Sequence, residues 1–196
     1  MMEENESKTR SDVLIEFLEI AIHDILYYRN IYPPNIFSLK KKYNIPIYVS
    51  KHPKVNEYIT ECLKTAKELL EANVVKRIAL VISTDKNVPV EKYVFEIQQS
   101  KSDYQDKFFV KIEEVFREYL LRIAVAEVSL KKLPENCTFE IQITTDEQSS
   151  VKLNENVSHV HFPWIEAENS EENLQSILPV KSLDTKQLKL NMYIES

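Results

Sequence analysis

Several residues have types and spacing that could do chemistry. His159 and His161 lie two apart, so on a strand they face one side and could share a metal ion. A metal site needs more ligands, none stands at a recognisable spacing, and the two read as polar loop residues. His23 precedes Asp24 inside an apolar run, where such a couple could serve a nucleophile. No nucleophile is signposted, and the couple reads as a satisfied, partly buried pair. Cys62 sits on the apolar stripe of a helix pattern and reads as core-adjacent. Glu16 with Glu19, Glu113 with Glu114 and Glu171 with Glu172 are carboxylate pairs. In a chain with 31 acids they say little about acid–base catalysis. Lys40, Lys41 and Lys42 form the one concentrated basic run, with Phe37, Tyr43 and Tyr48 nearby, a mixture suited to phosphate. It reads better as a strand edge protected by lysines.

Composition narrows the classes further. The 196 residues are enough for one sizeable domain, and 43% hydrophobic with 29% charged content fits a soluble globular protein. A net charge of −6 argues against a broadly basic nucleic-acid surface. The start "MMEENESKTRSD" reads as neither a secretory signal nor an anchor, and no apolar run approaches membrane-spanning length. Cys62 and Cys137 stand far apart, which favours a reducing compartment over a disulfide framework or a zinc set. The chain has no glycine at all, where ordinary usage would supply roughly 14. Phosphate-cradling loops and the nucleophile elbow need glycine for positive φ and close backbone approach, so those enzyme classes are excluded.

The elements that position these residues follow from periodicity. Residues 1–11 read as a disordered tail, and Ser11 or Asp12 caps a helix running to Arg29. Its apolar residues cover more than one face, which predicts a central, buried helix. Pro33 and Pro34 end that segment. "NIFSLKKKYN" and "IPIYVSKHP" are short β-like pieces. A second helix, from about Pro53 to Glu71, carries the stripe Val55, Ile59, Leu63, Ala66 and Leu70. "KRIALVIST" and "VEKYVFEIQ" are strands around a turn. A third helix runs from Asp106 to about Lys131. "CTFEIQITT" and "QLKLNMYIES" are alternating strands. The sum predicts an α+β domain, with helices on one face of a mostly antiparallel sheet.

Between the last two strands lies a long irregular stretch holding the chain's one tryptophan, Trp164. Pinned at both ends, it reads as a strap closed over something. Tyr58 beside the second helix's stripe, Trp164 in the strap and Tyr193 on the polar side of the last strand are aromatics of the kind that anchor partners.

"EFLEIAIHDILYYRNIYPPNIF", "KKYNIPI", "HPKVNEYI", "PVEKYVFEI", "CTFEI" and "FPWI" together resemble the HORMA-domain family. Within it they resemble the non-catalytic accessory subunits of translesion DNA polymerase zeta, relatives of the spindle-checkpoint HORMA protein. The resemblance runs from about Asp12 to Glu195. It implies a single HORMA domain over 12–196, a "safety belt" over 149–185 and a last strand over 186–195. It implies that Tyr58 and Trp164 grip a proline-bearing peptide, from the polymerase's catalytic subunit or a shieldin subunit. Ile177, Asn191 and Tyr193 match positions that meet the C-terminal domain of the scaffold translesion polymerase. The first two depart from the family's Leu and Gln, and the shorter amide of Asn191 would turn a direct hydrogen bond into a water-mediated one. Arg117 matches a residue of a HORMA dimer interface, homo- or heterodimeric, while Leu39 and Val128 replace its Lys and Ala. An ATP-driven remodeller, a nuclear location with a cytoplasmic pool, and no catalysis, cofactor, metal, membrane or direct nucleic-acid contact complete what the resemblance implies. A mitotic or meiotic HORMA adaptor with another peptide is the alternative.

Overall fold

The computed structural model describes residues 2–99, 106–145, 174, 176–185 and 188–196, with side chains from residue 10 in the first helix and residue 112 in the third. Among these, three helices, α1 (Met2–Tyr28), α2 (Pro53–Glu71) and α3 (Asp106–Ala126), pack with seven strands. β1 (Phe37–Lys42) and β2 (Ile45–Ser50) form a hairpin. β3 (Val75–Ser83), β4 (Pro89–Gln99), β5 (Thr138–Thr145), β6 (Ile177–Asp184) and β7 (Leu188–Glu195) form an antiparallel sheet in the order β5-β3-β4-β7-β6.

Helix α1 is mostly enclosed: Leu14, Phe17, Leu18, Ile20, Ala21, Ile22, Ile25 and Leu26 all join the core, and only Asp12, Glu16 and Glu19 keep an exposed strip on its described residues. That is close to the burial its wide apolar pattern predicts. Phe17 stacks on Phe116 of α3 at 4.2 Å and meets Phe95 of β4 edge-on at 6.1 Å. Strand alternation supplies the rest. Ile78, Leu80 and Ile82 of β3, Tyr93, Phe95 and Ile97 of β4, and Leu188, Leu190, Met192 and Ile194 of β7 face the helices. Ala79, Val81 and Val94 point to the other face, with Tyr193 against them.

Two boundaries differ from expectation. Helix α1 begins at Met2, so residues 2–11 are helical rather than a tail. Glu, Lys and Arg in that segment are good helix formers and let the helix continue back. Ser11 is thus buried inside the helix, and its hydroxyl has no partner among the described residues, so it caps nothing. The stretch after β5 also contains a strand, β6, which period-counting missed. Pro179 interrupts its pattern and a bulge follows between Pro179 and Lys181. Proline is tolerated there because β6 is an edge strand. Lys181 pairs with Glu118 and Arg122 donates to the Val180 carbonyl at 3.3 Å, tying β6 to α3.

Asparagine does the backbone work usually given to glycine. Asn30, Asn73, Asn87 and Asn136 have φ of 54°, 57°, 58° and 60°. Asn30 and Asn73 end α1 and α2 with the amide after each reaching back five residues, Ile31 to Leu26 and Val74 to Leu69, both at 3.1 Å. Tyr43 and Asn44, with φ of 47° and 60°, form the two-residue turn of the β1–β2 hairpin, where both positions must be left-handed.

One buried ion pair crosses this frame. Arg29, just past α1, meets Glu91 of β4 through Nε and Nη2 at 2.9 and 2.7 Å, and Nη2 also donates to the Lys131 carbonyl at 2.6 Å. The Tyr93 hydroxyl donates to Glu91 at 3.2 Å. Burial pushes the Glu91 carboxyl up, opposed by the Arg29 charge. Arg29→Ala leaves a buried carboxylate unpaired and should cost about 3–5 kcal/mol in urea denaturation. Arg29→Met combined with Glu91→Leu should cost far less. Equal losses would show that packing, not charge pairing, sets the cost.

Candidate partner-binding site

The site is assembled where α2 meets the sheet edge β5. Pro53 at the first helical position starts α2, with no side-chain cap from His52. The Asn56 amide reaches back to the Ser50 carbonyl at 3.0 Å and fixes the entry from β2. The stripe Val55, Ile59, Leu63, Ala66 and Leu70 is buried. Tyr58, one residue off that stripe, is half-buried and turns toward β5.

Its ring meets Phe139 edge-on at 5.5 Å, and Tyr32 also meets Phe139 edge-on at 6.1 Å. The Ile141 amide donates to the Tyr58 hydroxyl at 3.2 Å. That bond shows which way β5 faces. Ile141 is opposite Leu80 of β3, yet its N–H points away from β3. In an antiparallel ladder such pairs recur every second residue, so Phe139, Ile141 and Ile143 turn their backbone groups to the outer edge. Beyond them β5 pairs with no further strand among the described residues. A groove of about 480 Å³ lies beside this edge, lined by Tyr32, Pro33, Ile36, Val55, Tyr58 and Phe139, with His52 and Lys54 at its mouth.

Burial raises the Tyr58 phenol well above its ordinary range, opposed by the bond from Ile141. The phenol is therefore neutral at physiological pH, keeping both an acceptor and a proton to donate. Burial pushes the thiol of Cys62, one turn on, up to about 11, opposed by the Tyr58 hydroxyl. Cys62 is thus a protonated core residue, as its place on the stripe predicts, and is unsuited to nucleophilic attack.

Ile177, Asn191 and Tyr193 share the opposite sheet face. Ile177 faces Glu195, and Asn191, Tyr193 and Glu195 alternate on one side of β7. Ile177 is 66% exposed, Asn191 is exposed, and the Tyr193 hydroxyl donates to Glu96 at 3.3 Å, a carboxylate also paired with Arg77 at 3.0 Å. The structure therefore groups these three. It does not bring Tyr193 to Tyr58: β4 and β3 stand between β7 and β5, three strand spacings or about 14 Å. Tyr58 and Tyr193, singled out in the sequence as possible anchors, therefore lie on two separate surfaces. Trp164, His159 and His161 lie outside the described residues. Arg117 is half-buried on α3, one and two turns before the exposed Leu121 and Val125, which are 48% and 69% exposed.

The remaining sequence candidates separate. Among the described residues no cluster of His, Cys, Asp and Glu could hold a metal, and no helix is long and apolar enough to cross a membrane. Lys42 pairs with Glu16, so the basic run is partly neutralised. His23 and Asp24 do not form the expected pair, because adjacent helix positions diverge. Asp24 instead accepts from the Tyr48 amide at 2.8 Å, and His23 Nδ1 has no partner among the described residues. The groove was missed because Tyr32 with Pro33, Tyr58, and Phe139 come from three separate segments; no local spacing joins them.

An antiparallel edge beside an aromatic groove places the chain among α+β domains suited to binding partner segments by strand addition. The chain belongs to the HORMA domain family, whose pattern matches residues 11–187. It is 38% identical to human mitotic spindle assembly checkpoint protein MAD2B over 189 residues, covering 94% of this chain and 90% of that one. It is 27% identical to Drosophila melanogaster DNA polymerase zeta subunit 2, covering 96% and 98%. A chain of a crystallised mitotic checkpoint complex has the same fold, with a TM-score of 0.80, 21% identity and coverage of 95% and 98%. The protein is thus a homologue of MAD2B and of polymerase zeta subunit 2, in a family of non-catalytic adaptors.

Burial drives Asp24 and His23 in opposite directions. Asp24 rises to about 7, and His23 falls to about 4, pushed further by the Lys40 charge. A raised Asp24 keeps its proton in the fold when the unfolded chain has lost it, so its stabilising contribution is lost as pH rises from about 4 to about 7. The lowered His23 contributes oppositely, losing stability as pH falls from 6.5 to about 4. Asp24→Asn keeps the acceptor for Tyr48 and should gain stability relative to the parent as pH rises through that window. Thermal melts at pH 4.5 and pH 7.5 read the difference, and an advantage that shrinks with rising pH would refute the assignment.

Proposed function

We propose that this chain is an adaptor that captures a proline-containing peptide of the catalytic subunit of DNA polymerase zeta along the β5 edge, beneath the part of the belt segment 149–185 that precedes β6. The observation carrying this reading is the outward-facing backbone of Phe139, Ile141 and Ile143 next to the aromatic groove. Backbone groups there can receive an added strand, and the groove can take an apolar side chain. The names of the fly and plant relatives, subunits of DNA polymerase zeta, support the choice of partner. A strap passing over the peptide would slow its escape, so affinity is expressed mainly in the off-rate.

The outer face of Ile177, Asn191 and Tyr193 is the proposed seat of the C-terminal domain of the scaffold translesion polymerase. Being on another face from β5, it leaves room for both partners at once, as bridging requires. Arg117, with Leu121 and Val125 exposed beside it, is the proposed dimer surface, homo- or heterodimeric. The same edge would accept a shieldin peptide in double-strand-break repair. An ATP-driven HORMA remodeller would release what the belt holds, and the site of action is the nucleus with a cytoplasmic pool. The vertebrate relatives' checkpoint names favour a second reading, a mitotic adaptor using the same edge for another peptide.

Calorimetry with a synthetic peptide bearing hydrophobic residues and two prolines tests the capture. Tyr58→Ala and Trp164→Ala should each cost about 2 kcal/mol or more, the range of central aromatic anchors, with faster release. Tyr193→Ala should leave peptide binding intact and weaken only the scaffold domain. No binding by the folded parent chain would remove the polymerase assignment.

A further inference from the structure

We propose that the mouth of the groove beside β5 selects an acidic side chain of the captured segment, and that Lys54 is the residue that reads it. This rests on the strand-addition reading above and adds a charge rule for the segments that edge accepts.

Most of the groove lining is Tyr32, Pro33, Ile36, Val55, Tyr58 and Phe139, which can take an apolar side chain but cannot tell one charge from another. Besides the two phenols, the groups there that can carry charge are His52 and Lys54, both exposed at the mouth. Among the described residues no acid lines the groove. Lys51, also exposed, stands just before His52, so the run Lys51-His52-Pro53-Lys54 is a local reversal of sign in a chain of net charge −6. Lys42, Lys67 and Lys181 are each matched by a carboxylate of the protein. Among the described residues Lys54 is not, and Glu57, three residues on, makes no ion pair with it.

The stability of α2 does not account for this lysine. Lys54 is the second residue of the helix, whose first turn holds no acid. The aligned peptide dipoles make a helix start partly positive, so a cation there weakens the helix and a carboxylate would suit it better.

Spacing brings the lysine to the ligand. Tyr58 follows Lys54 by four residues, so the two share one side of α2, one turn or about 5.4 Å apart. A strand laid along β5 turns every second side chain to the same side, about 6.8 Å apart. With one such side chain against Tyr58, the next comes within reach of the ammonium on its flexible stem. Asp or Glu at that place gains a partner. Lys or Arg there meets like charge with no acid beside it, which rejects the wrong segment.

Synthetic peptides with two prolines and hydrophobic residues are the probes, with Glu, Gln or Lys placed in turn two positions to either side of each hydrophobic residue. At one of these positions the parent chain should bind the Glu peptide about three-fold tighter than the Gln peptide, the range of an exposed ion pair, and the Lys peptide more weakly than both. Raising salt from about 50 mM to about 500 mM should compress that order. Lys54→Gln should remove it, and Lys54→Glu should invert it. Lys54→Glu should also melt no lower than the parent, because an acid suits the start of α2, so the inverted order is not a folding defect. A parent chain that binds Glu, Gln and Lys peptides alike at every position overturns the proposal, as does a Glu preference that survives in Lys54→Glu. Either result, with the peptides still bound, leaves strand capture standing and removes only the charge rule. If the parent chain binds none of the peptides, strand addition itself has failed, and this inference falls with it.

Discussion

The whole arrangement depends on a helix whose second half has no solvent face. From Ile20 to Leu26 no residue of α1 is exposed, so this part must be enclosed, and one sheet can cover only one of its sides. Helices α2 and α3 and the β1–β2 hairpin close the others. Phe17 is the point where these layers meet, touching α3 through Phe116 and Tyr119 and the sheet through Phe95. With α3 placed over β6 and β7, α2 falls beside β5 at the opposite edge. The two candidate surfaces are therefore consequences of how one helix is wrapped. The edge reached by Tyr58 is where the wrapping stops short of another strand among the described residues.

Much of this was legible from periodicity. The stripe of α2 and the alternation of β4 and β7 each predicted the buried residues, because one face of each element is buried and the other is polar. The missed strand β6 is instructive. Its alternation is broken by Pro179 and the bulge after it, and both are features that edge strands tolerate and period-counting penalises. The helical start at Met2 was missed for a different reason: charged residues carry helix propensity without an apolar stripe.

The candidate site was legible only in part. Tyr58 stood out as an aromatic beside its stripe, and Asn191 and Tyr193 as alternate residues on the outer side of β7. Neither pattern told that Tyr58 reaches the backbone of a strand 83 positions later. Tyr32 and Phe139 come together only through the fold, so the groove had no local signature. The absence of glycine was visible at once, and it excluded glycine-dependent enzyme loops. It did not reveal the remedy, a set of asparagines at left-handed positions, supplemented by one tyrosine in the hairpin turn. Asparagine tolerates that region because its short side chain can bond locally.

Amide hydrogen exchange along β5, with and without the two-proline peptide, tests the central claim most directly. The account predicts that binding slows exchange at Phe139 and Ile143, whose amides face the open edge, and leaves the outer face of β6 and β7 unchanged. Protection confined to β6 and β7, with Phe139 and Ile143 exchanging as before, would contradict it.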